Sequence, residues 1–150
     1  MANINRTCQT CHRQSEETLR QNVYERQEKV FDIRNRVEKE LARAHIEAKF
    51  AWEKGATEKE MEPILTALRK SQWRWDYAVA SHGASFHAPQ EVTRLLGVAL
   101  NYAQTARIDI ARVLARHGYS KEVPMPDIST KDKAQSYIGL DMKKLKAQKK

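Results

Sequence analysis

Cysteine occurs twice in these 150 residues, glycine five times and proline four times. A single close cysteine pair leaves no second pair to complete a four-ligand zinc site. So few glycines and prolines do not suit a turn-rich β architecture. No apolar run is long enough for a bilayer: the uncharged stretch from Leu95 to Ala106 falls far short of the roughly 20 residues required. The opening residues Met1 to Arg6 lack the apolar segment of a signal peptide, so the chain as written carries no export signal and no transmembrane segment.

What is present is charge and helix-compatible apolar spacing. Charged residues make up 31% and hydrophobic ones 41%. The net charge is +8, yet beyond Tyr119 there are 8 Lys against 4 acidic residues, so about half the excess sits in the tail. Elsewhere both signs interleave, as on solvated helix faces, and no readout motif accompanies them. Nucleic acid is therefore not an expected partner.

The apolar spacing predicts an all-α fold of long amphipathic helices in a hairpin or bundle. A cysteine-bearing leader over residues 1–14 precedes a three-helix region over 15–118, and an extended Lys-rich tail covers 119–150. Ser15, Glu16 and Glu17 supply a cap and an acidic first turn for a helix over about 15–54. In it Val23, Val30, Val37, Ala44 and Ala51 recur every seven residues, giving a rod of roughly 60 Å. Thr57 to Glu60 match a capping box for a second helix over about 57–82, with Pro63 kinking or restarting its start and Gly83 as its stop. Leu65, Leu68, Trp75 and Val79 are expected to line its apolar face. Pro89 fits the first position of a third helix over about 89–117. There Val92, Leu96, Ala99, Ala103, Ala106, Ile110, Val113 and His117 form a regular seam whose small residues permit close helix approach. Past Gly118 a short helix is expected up to Tyr137, and the end from Lys143 to Lys150 should fray.

One motif carries chemistry. Cys8-Gln9-Thr10-Cys11-His12 is the c-type haem attachment sequence. Two thiols at this spacing add to the two vinyl groups of one porphyrin edge, and the histidine that follows is the proximal iron ligand. A thioredoxin-like dithiol would need a βαβ context that a helical chain lacks, and no finger-like histidine pair supports zinc. For a second axial ligand, His45 reads as a packed histidine, His117 as a contact at a helix C-terminus and His82 as an aid to capping. His87 lies in the loop between two helices, where position alone leaves ligation open. In an antiparallel hairpin the second helix is about 14 residues shorter than the first. His87 would then fall roughly 20 Å short of the haem on His12 and serve a different iron. Trp73 and Trp75 read as packing residues rather than electron conduits.

The attachment motif, Ala56-Thr57-Glu58, Gln72-Trp73-Arg74-Trp75-Asp76, Ala80-Ser81-His82-Gly83 and His87-Ala88-Pro89-Gln90-Glu91, in this order from about Arg6 to Asp141, resemble the C-terminal portion of pentahaem, ammonia-forming cytochrome c nitrite reductase. The resemblance implies six-electron reduction of nitrite to ammonium in the periplasm by a homodimer joined through long helices. Its electrons would come from a donor cytochrome or quinol dehydrogenase. It implies that His12 serves the last haem of the relay and His87 the preceding one, whose attachment motif lies in an upstream haem domain. The family's catalytic haem, its substrate-handling residues and its calcium site would also lie upstream. No catalytic residue is therefore assigned in this chain, which alone would be inactive. Two other readings are a stand-alone small helical c-type cytochrome that carries electrons, and a haem-free helical interaction protein.

Overall fold

The computed structural model describes residues 3–140, and among them there is no β-strand. The fold is all-α, as the periodicity predicts. A short helix α1 (Ile4–Thr7) runs into a 3-10 turn at Cys8–Thr10. It is followed by α2 (Glu16–Glu53), α3 (Glu58–Ala80), the single turn α4 (Ala84–His87), α5 (Pro89–Arg116) and α6 (Lys131–Tyr137). Within the described residues, 3–120 and 121–140 form separate compact units; α6 belongs to the second and all the other helices to the first. The Lys-rich end from Lys143 to Lys150 lies outside the described residues.

Local chemistry fixes the helix ends. Ser15 accepts the Thr18 backbone N–H at the start of α2, and Thr57 with Glu60 closes a reciprocal capping box on α3. Gly55 and Gly118 follow α2 and α5 with φ of 91° and 78°, a left-handed turn in which a Cβ would be strained. Gly83 does not play this part. Its φ is −84°, and α3 stops earlier, at Ala80, with Ser81 as its C-cap. Pro63 is accommodated inside α3, which continues without a break. The expected loop after Gly83 contains α4, so His87 ends a helical turn.

The core lies where α5 crosses its neighbours. Val92, Leu96, Ala99, Ala103, Ala106, Ile110 and Val113 are all buried, so the seam read from the sequence is used up inside the chain. α5 packs extensively on both α2 and α3, which touch each other far less. One cluster joins Val30, Val37 and Leu41 of α2 to Val92, Leu96, Ala99 and Ala103 of α5, with Trp75 and Ala84 packed against it. The buried face of α3 is Met61, Ile64, Leu68 and Ser71. Of the expected face, Leu68 is buried and Trp75 packs on the core, while Leu65 is 38% exposed. Ser71 donates its hydroxyl to the Ala99 carbonyl at 2.7 Å, a close approach of α3 to α5 that the alanines of the seam allow.

A charged clasp supports the same crossing. Arg107 of α5 makes a double contact with Glu47 of α2 (2.8–3.1 Å) and reaches Glu40 at 2.6 Å. These bonds hold the guanidinium charged, raising its pKa further. At the far end Glu60 accepts from the Thr57 backbone, Arg116 and His117, which lowers its carboxyl from 4.5 to about 2. His117 is therefore tied to a named carboxylate as well as to a helix end.

Candidate functional site

The attachment motif occupies the 3-10 turn. The Cys11 and His12 backbone N–H groups both bond the Cys8 carbonyl, at 3.2 and 2.9 Å. This closure winds the CxxCH segment into a tight turn. Thr10 donates its hydroxyl to the Thr7 carbonyl at 2.6 Å, and the Gln9 amide donates to the Gln14 carbonyl at 3.0 Å. Both thiols are unpaired; Cys8 is half-buried and Cys11 exposed. One residue anchors this polar leader: Ile4 is 1% exposed.

α4 comes from the other side. Arg26 of α2 donates to the Phe86 carbonyl at 2.9 Å, and Ala84 packs against the core. The Phe86 and His87 rings lie 4.6 Å apart. Phe86 and His87 then line a single cleft with Ile4, Cys8, Cys11 and His12. Its volume, about 400 Å³, falls in the range of cofactor sites.

This geometry corrects the reach estimate. His87 does not lie remote from His12, because α1 packs back on α2 instead of extending beyond it. The α4 turn also carries the chain beyond the end of α3. The remaining histidines stand apart from the cleft. His45 is exposed, not packed, and His82 lies in the turn after α3, beside a different cleft. Trp75 packs on the core, while Trp73 is 61% exposed and stacks on Tyr77 at 5.8 Å. Sequence reasoning missed Ile4 and Phe86. A lone apolar residue in a polar leader was the available signal for Ile4, and adjacency to His87 the signal for Phe86.

Two free thiols, an imidazole one turn away and an apolar-walled cleft fit haem attached through thioethers. That donor set defines the class, a helical c-type cytochrome. The cytochrome c552 family matches over residues 1–150, and the chain belongs to it. It is 71% identical over 142 residues to cytochrome c-552 of Porphyromonas gingivalis, which covers 95% of this chain and 28% of that protein. To cytochrome c-552 of Bacteroides thetaiotaomicron it is 67% identical, covering 95% of this chain and 29% of the relative. For Bacteroides fragilis the identity is 65%, covering 96% and 29%.

These findings correct the family read from motif order. The family matched across the whole chain is cytochrome c552, and these relatives bear that name, so the assignment to the C-terminal portion of a pentahaem nitrite reductase is replaced. The family carries covalently bound haem c. The chain spans less than a third of the length of these curated relatives.

Proposed function

We propose that this chain is an electron-relay segment of a c-type cytochrome, with Cys8 and Cys11 as the thioether donors and His12 as the proximal iron ligand. The observation that carries the reading is the shared cleft, in which both thiols and His12 meet His87. When bound, the haem supplies reversible one-electron chemistry at its iron.

The chain's own residues hold and shield that group. Ile4 and Phe86 supply apolar wall, Thr7 and Thr10 fix the turn that presents the thiols, and Arg26 fixes the turn that presents His87. His87 would hold the iron of a second haem, supplying an imidazole to it. Two cysteines suffice for one covalent haem, and the relatives are more than three times as long as the chain. Imidazoles at both axial positions of one iron would favour electron transfer over substrate binding. No residue here is given a catalytic role.

The exchange partners would be redox proteins, either a donor cytochrome or a quinol dehydrogenase, on the periplasmic side, where c-type haem is attached. A second copy would meet the exposed aromatic residues Trp73 and Tyr77 of α3, since the α5 seam is already used.

Intact mass tests the reading, with the chain exported through haem-maturation machinery. A gain of one haem, lost in Cys8→Ser/Cys11→Ser, is expected; an apo mass in the parent chain rejects it. Visible spectra of His87→Ala then separate the assignments. Retention of the parent spin state in the single-haem chain supports a second iron, whereas conversion to high spin places His87 on the haem of His12.

A further inference from the structure

A second cleft shares the α4 turn through Ser85, and its chemistry differs from that of the first. Its volume is about 310 Å³. Gln27 and Arg34 of α2 line it with Ser81, His82 and Ser85, over Val30 and Phe31. Among the described residues no carboxylate lines it. The guanidinium of Arg34 lies 4.2 Å over the Phe31 ring. Its Nε is buried and, among the described residues, has no hydrogen-bond partner. A buried N–H of a charged group without an acceptor is costly, and a missing ion is one of the few explanations for it.

We propose that this cleft is an oxyanion site that takes a carboxylate. Arg34 offers the planar donor fork that matches a carboxylate. His82 adds a ring N–H, and Ser81 and Gln27 add further polar groups at the rim. The Ser85 hydroxyl meets the His82 carbonyl at 3.4 Å, linking the two residues. The lining thus combines a cation, neutral donors and an apolar floor, with no acidic group to compete for Arg34.

Two sources can supply the carboxylate: a propionate side chain of the haem, or a free carboxylate from solution. The clefts are neighbours in sequence on both walls. Ser85 directly precedes Phe86 and His87, and Gln27 follows Arg26, which bonds the Phe86 carbonyl. Only the propionate source rests on the haem reading given above.

The test uses the 150-residue chain, haem-free and haem-loaded, with acetate as probe and chloride holding ionic strength constant. In the haem-free chain acetate is expected to shift the Arg34 Nε–H resonance saturably and to raise the melting temperature. Arg34→Met should abolish the thermal effect, and His82→Ala should weaken binding at least threefold. Circular dichroism checks that each variant is folded; if Arg34→Met is not, His82→Ala decides.

In the haem-loaded chain a propionate occupant leaves acetate without effect. It also makes Arg34→Met lower the haem reduction potential, because a cation beside the haem favours its less positive, reduced form. If acetate binds in both states, the occupant is a free solute. The proposal is overturned if the haem-free chain shows no saturable response and Arg34→Met leaves the potential of the loaded chain unchanged. Failure of haem attachment is read separately from the mass, and the haem-free arm is then decisive alone.

Discussion

Arg26 and the Phe86 carbonyl, 60 residues apart in sequence, meet at 2.9 Å, and this bond ties the turn bearing His87 to the long helix α2. A guanidinium-to-carbonyl bond at an exposed position contributes about 1 kcal/mol. Arg26→Ala should therefore speed amide hydrogen exchange at residues 86–88 roughly fivefold while α5 exchange stays the same. Equal protection in both proteins would show that Ala84 alone anchors the turn.

Glu60 predicts an acid-sensitive step. Its carboxyl is lowered from 4.5 to about 2 by the Thr57 backbone N–H first, with His117, the Thr57 hydroxyl and Arg116 adding to the effect. A carboxyl depressed in the folded state contributes stability that is fully present above its unfolded value. That contribution is lost as pH falls from about 4.5 toward about 2. Urea midpoints across this window should decline less steeply in Glu60→Gln than in the parent chain. Parallel profiles would remove Glu60 from the acid response.

Arg107 lies between Glu40 and Glu47, the latter only 8% exposed. Removing one member of a mostly buried charge cluster leaves the others without compensation. Arg107→Met should cost about 2 kcal/mol, discounted for partial exposure. The triple variant with Glu40→Gln and Glu47→Gln should recover part of it. Denaturant melts check both, and an additive loss would count against a coupled cluster.

Ala103 is fully buried in the core shared by α2 and α5. Ala103→Leu inserts side-chain atoms where no room exists and should cost about 1–3 kcal/mol or more. A thermal melt shows this directly. An unchanged midpoint would mean that the helices separate to admit the larger side chain.

The elements themselves were legible because their signals are local. The seven-residue spacing of Val23 through Ala51, the Thr57–Glu60 box and Pro89 each specify a helix or its start without reference to the rest of the fold. The CxxCH motif is equally local. The cleft was not legible, since it depends on where separate pieces meet. A lone apolar residue in the polar leader hints that Ile4 is buried, but not that α1 turns back on the bundle. Assuming a simple hairpin therefore placed His87 roughly 20 Å too far away. The apolar face of α3 was misjudged in part, for a related reason. Met61, Ile64, Leu68 and Ser71 face α5, and a polar Ser71 is buried because the Ala99 carbonyl accepts its proton. A burial scale does not anticipate that exchange.

The division of contacts among the long helices also bears on how the bundle coheres. α2 and α3 touch each other far less than either touches α5. α2 and α3 therefore bury little against each other, and each depends on α5 for its cover. Small helical units gain their cooperativity from contacts between elements, and here the contacts that matter join α5 to both α2 and α3. The cysteine turn, by contrast, is held by bonds within residues 3–14. The hydrogen bonds that shape the thiol-bearing turn therefore do not depend on where α5 docks.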